Sequence, residues 1–150
     1  MSRTFDKEAL AGAADALYSE ARVVRFQDVD AAGIVFFPRV LEYASDAYIG
    51  MLTARGIHLP KAIEAGGYRI PLVHAEADYM APMRFGDPIR VEVVALDIGR
   101  SSFRVGYRLR HEDGRTAAVG QTAHVCVGLP GFSSIPIPED LRAALEGKMA

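Results

Sequence analysis

The sequence contains little of what several protein classes depend on. It has a single cysteine, Cys126, and can therefore form neither an internal disulfide nor a cysteine-based zinc site, which favours a reducing compartment. Its formal charge of -2 and its pI near 6.1 provide no basic field for nucleic acid. No apolar run approaches the length of a membrane span, and acids interrupt the alanine-rich run near the N-terminus, unlike the core of a signal peptide. We therefore predict a cytoplasmic protein that binds neither nucleic acid nor membrane.

Half of the 150 residues are hydrophobic, which is enough for one globular core. The chain has no internal repeat and no low-complexity linker that would divide it. We predict a single domain over residues 1–150. A short amphipathic helix is expected over residues 6–18 within an N-terminal extension of about residues 1–20, and a small helix near Pro138 within a C-terminal tail of about residues 130–150.

A long helix is predicted over residues 38–55. Pro38 suits a first helical turn and Gly56 suits a C-terminal stop. Between them, apolar or small residues recur at the spacing of one helical face, so this face is expected to be buried. They are Val40, Leu41, Ala44, Ala47, Tyr48, Met51 and Leu52.

Alternating apolar and polar residues predict strands in most of the remaining chain. The alternation is clearest in residues 100–110, where the odd positions from Phe103 to Leu109 are apolar and the even positions are mostly polar, as in a strand with one wet face. Similar runs begin at Ile89 and Ala117, and short turns join the three runs, so they are expected to pair antiparallel. Further predictions are strands over residues 22–27 and 69–81 and a turn-rich connection over residues 59–67. One long apolar helix and four or five antiparallel strands must bury each other, which defines an α+β layer fold.

The segment FQDVDAAGIVFFP, residues 26–38, combines two acids with a helix start. Asp28 and Asp30 follow an apolar run and precede the long helix, so a carboxylate is aimed at the helix N-terminus. The unpaired backbone N–H groups and the helix dipole at that end attract fixed or developing negative charge. The sequence therefore predicts an acid and an oxyanion site as neighbours.

Two motifs of the chain resemble the hotdog-fold acyl-CoA thioesterases of the 4-hydroxybenzoyl-CoA thioesterase type. The segment at residues 26–38 is similar to the D-x-D-x-x-G element of that family. PLVHAEADYMAPMRFGD, residues 71–87, is similar to its second-strand pattern of an aromatic residue, then Pro, then Gly-Asp. With the strands that follow, the resemblance covers roughly residues 22–127. It implies a hotdog fold, in which a curved antiparallel sheet of about five strands wraps a long central helix.

The resemblance implies an acyl-CoA thioesterase whose catalytic carboxylate is Asp30, acting as a nucleophile or as a general base toward water. It assigns the main oxyanion donor to the backbone N–H of Phe37, with help from the loop backbone around Gly33. An isolated acid before a helix is usually a cap. The D-x-D pattern, Gly33 and the resemblance together favour catalysis for Asp30, whereas Asp28 is expected to order the loop through backbone hydrogen bonds.

Substrate contacts are expected at two places. The resemblance implies that coenzyme A is part of the substrate, so no cofactor is expected, and Arg100 is the candidate for its phosphates because a guanidinium group matches a phosphate well. The acyl pocket is expected along the long helix and its partner subunit, where Phe36, Tyr43, Ser45 and Tyr48 are candidate lining residues. Family members that hydrolyse 4-hydroxybenzoyl-CoA carry an acid where this chain has Ser45. The acyl group therefore stays open between aromatic and short-to-medium aliphatic.

Two other function classes are compatible with parts of the pattern. A non-catalytic acyl-CoA or acyl-carrier binding module would keep the fold without turnover. A magnesium-dependent phosphohydrolase would use the D-x-D pair, but it needs a larger α/β domain with further acids and a lysine. His74, Glu76 and Asp78 share a strand face, yet their spacing is weak support for a metal site, and no metal is predicted. Open sheet edges and the resemblance imply a homo-oligomer, either a dimer or a tetramer of two dimers.

Overall fold

The computed structural model describes residues 4–148 of the chain. The helices are α1 (Lys7–Ala11), α2 (Arg39–Ala54), α3 (Leu59–Gly66) and α4 (Glu139–Leu145). The strands are β1 (Tyr18–Val23), β2 (Tyr68–Arg69), β3 (Leu72–Tyr79), β4 (Pro88–Ile98), β5 (Ser102–His111), β6 (Thr116–Val125) and β7 (Val127–Gly128). A 3-10 turn at Phe26–Asp28 lies between β1 and α2.

The described residues form a five-stranded antiparallel sheet in the order β1-β4-β5-β6-β3. The helix α2 packs on this sheet and contacts β1, β3, β4 and β6. The pairings of β5 with β4 and with β6 each contain a register shift, and bulges of this kind bend the strands that carry them. A long helix against an antiparallel sheet confirms the predicted α+β architecture.

The hydrophobic core lies between α2 and the inner face of the sheet. Val40, Ala44, Ala47 and Met51 on one side of α2 are fully buried there. The two alanines allow the helix to approach the strands closely, and each large apolar side chain buried in this layer contributes roughly 1.5–3 kcal/mol. The boundaries of α2 agree with the predicted helix to within one residue at each end.

The predicted turn-rich connection at residues 59–67 is wrong, because this segment contains the helix α3. Pro60 lies in the first turn of α3, and Gly67 follows it with a left-handed φ of +66°. Proline at the start and glycine in this conformation at the end are signals for a helix. Such residues are also frequent in turns, so composition alone suggested the wrong element.

Three further predicted boundaries differ from the structure. The strand predicted over residues 69–81 is divided into β2 and β3 around Pro71, which lacks the N–H that a continuous ladder requires. The predicted strand at residues 22–27 lies earlier, as β1, because Tyr18–Val23 pairs with β4. The N-terminal helix predicted over residues 6–18 ends at Ala11.

The outer face of β5, predicted to be wet, is covered by the N-terminal segment. Arg104 and Arg108 on this face are only 7% and 5% exposed. Arg108 donates to the carbonyls of Ala11 and Ala13 and pairs with buried Glu92 at 2.8 Å. The alternation of polar residues in β5 therefore marks a second, partly polar contact layer rather than a solvated surface.

Candidate active site

The segment at residues 26–38 folds into a tight turn that leads directly into α2. The backbone N–H of Asp30 donates to the Ile34 carbonyl at 2.9 Å, and the N–H of Gly33 donates to the Asp30 carbonyl at 2.9 Å. Gly33 has a φ of +79°, a conformation that favours glycine. A bridge between Val29 and Val35 closes the base of this turn. The turn brings the end of the segment back beside Asp30.

A cavity of about 430 Å³, which we call the Asp30 cavity, lies beside this turn. Asp30, Phe36, Phe37 and Val40 line one side, and residues 79–83, which follow from β3, line the other. The only carboxylate among its described lining residues is that of Asp30. The backbone N–H of Phe37 donates to no partner within residues 4–148, whereas the N–H of Phe36 is occupied by the Asp28 carbonyl. The cavity wall therefore carries a carboxylate and, at the start of α2, a free backbone donor.

The Asp30 carboxylate is partly committed to its own loop. One oxygen, Oδ1, accepts the Ala32 N–H at 2.8 Å, which is the capping type of contact that acids in turns commonly make. The other oxygen has no partner in the described part of the chain, and the residue is exposed in the isolated subunit. The loop contact orients the side chain and leaves one oxygen available for chemistry.

The other acid of the pair, Asp28, is buried beneath the same turn. Its carboxylate accepts the Tyr43 hydroxyl at 2.6 Å and lies 3.2 Å from Arg25 Nε and 3.7 Å from Arg39 Nε. Burial by itself would raise the pKa of Asp28, but the hydrogen bonds from Tyr43 and Arg25 and the charges of Arg25 and Arg39 outweigh it and hold that pKa below its usual value. The Asp28 side chain therefore ties the turn to α2 through side-chain partners rather than through loop amides.

The four residues expected along the acyl pocket do not lie together. Phe36 lines the Asp30 cavity, but Ser45 and Tyr48 line a second cavity of about 300 Å³, which we call the Tyr48 cavity. Tyr43 lines neither of them, because its hydroxyl bonds to buried Asp28. Arg100 lies exposed between β4 and β5 and lines neither cavity either.

The sequence did not reveal the polar side of the Tyr48 cavity. Tyr107, Thr122 and His124 point to it from β5 and β6, and His124 stacks on Tyr48 with a ring separation of 4.7 Å. Alternation places Tyr107 on the apolar face of β5, whereas His124 lies outside the apolar alternation of β6, and its pairing opposite Phe103 is seen only in the register of the sheet.

His74, Glu76 and Asp78, which share a predicted strand face, lie on β3. His74 Nε2 lies 2.8 Å from Glu76 Oε1 on this strand. Among residues 4–148, no group of three or more histidines, cysteines or acids is placed to hold a metal ion. No helix in the described chain has the length and apolarity needed to cross a membrane.

The sequence profile of the Thioesterase-like superfamily matches residues 24–145, and the chain belongs to this superfamily. A 1,4-dihydroxy-2-naphthoyl-CoA hydrolase from Synechococcus elongatus is 39% identical over 130 residues, which cover 86% of this chain and 95% of the relative. The crystal structure of a 1,4-dihydroxy-2-naphthoyl-CoA thioesterase from Synechocystis is similar with a TM-score of 0.81 and 31% identity, over 85% of this chain and 94% of that chain. The structure of a gentisyl-coenzyme A thioesterase is similar with a TM-score of 0.74 and 28% identity, over 85% and 98% of the two chains.

These similarities confirm two predictions made from the sequence. The fold is the hotdog fold, and the protein is a thioester hydrolase. The roles of Asp30, of the Phe37 N–H, of the loop at Gly33 and of Arg100 stay predictions.

Proposed function

We propose that the protein hydrolyses an aromatic acyl-CoA thioester to the free acid and coenzyme A, with 1,4-dihydroxy-2-naphthoyl-CoA as the first candidate substrate. The observation that carries this proposal is the Asp30 cavity, whose wall combines a carboxylate with the unpartnered N–H of Phe37 at the start of α2. The names of the relatives support an aromatic, hydroxylated acyl group, because they describe hydrolysis of dihydroxynaphthoyl and gentisyl thioesters.

In the proposed reaction, the thioester carbonyl lies in the Asp30 cavity with its oxygen facing the Phe37 N–H. The free oxygen of Asp30 either removes a proton from water, which adds to the carbonyl carbon, or attacks that carbon itself and forms an anhydride that water then hydrolyses. In both routes negative charge develops on the carbonyl oxygen, and the Phe37 N–H and the N-terminal end of α2 stabilise it. Collapse of the tetrahedral intermediate breaks the C–S bond, and coenzyme A leaves as a thiolate that takes up a proton. In the direct-attack route this step forms the anhydride, and water hydrolyses the anhydride only afterwards.

We further propose that the working unit is at least a dimer, formed along β3. This strand pairs with β6 on one side, and its other edge has no strand partner in the described chain. Leu72, Val73, Tyr79 and Met80 at and near this edge are each 44–60% exposed. An unpaired edge rimmed by exposed apolar side chains favours pairing with a second copy. Such pairing would also cover the mouth of the Asp30 cavity, because Tyr79 and Met80 line it.

The direct test is Asp30→Asn, assayed by thiol release from 1,4-dihydroxy-2-naphthoyl-CoA. Loss of a general base or a nucleophile should lower kcat by a factor of about 10²–10⁴, with little change in KM because the carboxamide occupies the same space. The matched control is Asp113→Asn, which makes the same chemical change in the exposed β5–β6 hairpin, where Asp113 accepts hydrogen bonds from Arg115. Unchanged hydrolysis by folded Asp30→Asn would contradict the proposed mechanism.

A panel of benzoyl-, hydroxybenzoyl-, naphthoyl- and aliphatic CoA thioesters tests the choice of acyl group. We expect the highest kcat/KM for hydroxylated aromatic rings. Tight binding of these thioesters without turnover by the wild-type protein would favour the non-catalytic binding module instead.

A further inference from the structure

Tyr79 lies at the end of β3, on the wall of the Asp30 cavity, and takes no part in the mechanism above. It is the aromatic residue of the motif at residues 71–87. Its ring is 53% exposed, yet its hydroxyl is engaged, because it donates to the Phe37 carbonyl at 2.7 Å. A side chain of the sheet therefore holds the residue whose N–H is the proposed donor to the thioester oxygen.

Hydrogen bonds join the two walls of the Asp30 cavity at two positions along them. At one position the Val35 N–H donates to the Met83 carbonyl at 2.8 Å, a bond between two backbone groups. At the other position the Tyr79 hydroxyl reaches the Phe37 carbonyl, and no other hydrogen bond in the described chain joins the walls there. Loss of the Tyr79 hydroxyl would therefore release the part of the wall that carries the Phe37 N–H.

The direction of the Phe37 N–H follows from the peptide unit to which it belongs. The Phe36 carbonyl, which is part of the same unit, accepts the Arg39 N–H at 2.8 Å at the start of α2. The C=O and N–H of a planar trans peptide point in opposite directions. The Phe37 N–H is therefore turned away from α2 and out of its N-terminal end, where negative charge is favoured.

The Phe37 carbonyl, on the other side of this residue, is only loosely held by the helix. The Val40 N–H makes a long bond to it, at 3.4 Å. In a regular α-helix the Leu41 N–H would donate to it as well, but here that N–H donates to the Pro38 carbonyl at 3.1 Å. The bond from Tyr79, at 2.7 Å, is therefore the main restraint on this part of Phe37.

We propose that Tyr79 is a positioning residue for thioester hydrolysis, because its hydroxyl holds the Phe37 carbonyl and so keeps the Phe37 N–H aimed at the thioester oxygen. Tyr79 acts through Phe37 and does not itself touch the reacting atoms. This inference rests on the thioesterase function proposed above. It gives that function a side chain through which a backbone donor, which no substitution can remove, is open to mutation.

The Tyr79 hydroxyl remains a donor at neutral pH. Burial raises the pKa of Tyr79 above its ordinary value of about 10, so the hydroxyl keeps its proton. A hydroxyl that only positions Phe37 gives up no proton during the reaction. The positioning role therefore predicts that removal of the hydroxyl lowers the rate without changing the shape of its pH dependence.

The first test is Tyr79→Phe, which removes the hydroxyl and keeps the ring. Complete loss of an oxyanion donor costs about 10²–10³ in kcat, and a donor that is present but no longer fixed should cost less, about tenfold. KM should stay within about twofold, since the donor bonds most strongly to the charged oxygen of the transition state. Tyr18→Phe, the same change at a hydroxyl that contacts Glu20 on β1, is the control and should keep the wild-type kcat.

Three outcomes of this assay would overturn the proposal. An unchanged kcat would mean that the hydroxyl does not position the donor. A loss that lies entirely in KM would make Tyr79 a contact of the bound substrate, and an altered pH profile would make it an acid–base catalyst. Tyr79→Phe should fold, because water can replace the lost hydrogen bond at this half-exposed position, and its Tm checks this.

The second test measures the hydrogen bond at the thioester oxygen directly. 1,4-Dihydroxy-2-naphthoyl-CoA with an isotope-labelled thioester carbonyl is bound to Asp30→Asn and to the double variant Asp30→Asn/Tyr79→Phe, and the carbonyl stretch is recorded by infrared difference spectroscopy. A donor aimed at the oxygen weakens the C=O bond, so the stretch should lie at a higher frequency in the double variant. The same frequency in both proteins would contradict the positioning role.

A measurement on the free protein separates failure of this inference from failure of the proposed function. A wild-type protein inert toward every thioester of the panel would sink the proposed function. The NMR order parameter of the Phe37 amide still reports the restraint by Tyr79 in that case, and it should fall in Tyr79→Phe. The Phe36 amide, which donates to the Asp28 carbonyl at 2.9 Å, is the internal reference and should not change. Equal order parameters of the Phe37 amide in the two proteins would remove the basis of the inference.

Discussion

The hydroxyl of Tyr43 donates to a carboxylate that water does not reach, and its removal should destabilise the protein. Asp28 is 1% exposed and accepts this hydroxyl at 2.6 Å. Tyr43→Phe removes the donor and keeps the ring, so the loss is one hydrogen bond to a charged group, about 1.5–3 kcal/mol. Because Arg25 and Arg39 continue to neutralise the carboxylate, we expect Tyr43→Phe to lower the free energy of unfolding by about 2 kcal/mol. For a chain of this length that loss lowers Tm by about 4–8 °C.

The assay is urea unfolding at pH 7 with a matched control. Tyr18→Phe also removes a tyrosine hydroxyl from a carboxylate, that of Glu20 at 3.1 Å. The Glu20 side chain is 25% exposed, so water can replace the lost donor, and we expect no more than about 1 kcal/mol. A Tyr43→Phe variant as stable as the wild type, or no less stable than Tyr18→Phe, would refute the reasoning.

The pH dependence of the stability of Tyr43→Phe tests whether Tyr43 acts through the ionised carboxylate of Asp28. The pKa of Asp28 is lowered in the folded protein, so its stabilisation is complete above the unfolded pKa, about 3.9, and is lost as the pH falls through the folded pKa. Tyr43→Phe raises that folded pKa toward its ordinary value. The stability difference between wild type and variant should therefore narrow below pH 4. A difference that stays constant in acid would mean that Tyr43 does not act through the ionised carboxylate.

Three further predictions concern buried groups elsewhere in the fold. Burial raises the pKa of Cys126 to about 11, so a chromogenic disulfide reagent should label the native protein at pH 8 far more slowly than the urea-unfolded chain; equal rates would contradict this. Arg108→Met leaves buried Glu92 with weaker pairing and should cost roughly 3 kcal/mol in urea unfolding, and a change below 1 kcal/mol would count against the buried pair. Because burial lowers the pKa of His124 to about 4, the unfolded chain takes up a proton between pH 6.5 and 4 that the folded chain does not. The free energy of unfolding should therefore decrease as the pH is lowered across this window, and it should decrease less steeply in His124→Gln. The same pH dependence in both proteins would argue against a neutral buried imidazole.

The elements of the fold that depend on the spacing of apolar residues could be predicted from the sequence. The buried face of α2 and the antiparallel order of β4, β5 and β6 follow from apolar spacing and short connections, and both are confirmed. Arg104 and Arg108 were misjudged as solvated, because their cover comes from a segment about a hundred residues away along the chain. Local patterns contain no information on such long-range contacts.

The candidate site was likewise only partly predictable from the sequence. The pairing of Asp30 with the start of α2 was visible in one short segment, and the structure brings Asp30, Phe36 and Phe37 to one cavity. The bond from Tyr43 to Asp28 spans 15 residues and depends on how the loop packs under α2. A buried hydroxyl without a hydrogen-bond partner in the described chain, as in Tyr48, is a property of the assembled core and has no counterpart in a sequence pattern.

The N-terminal segment over the outer face of β5 limits how copies of this chain can assemble. Leu10 lies so close to Gly106 that a methyl group built there would come within 2.5 Å of the leucine. The outer face of the sheet over β5 and β6 is therefore already occupied by its own chain, so a second sheet could not stack on these two strands. Any larger assembly of β3-paired dimers would therefore have to form its further contacts away from this covered part of the sheet.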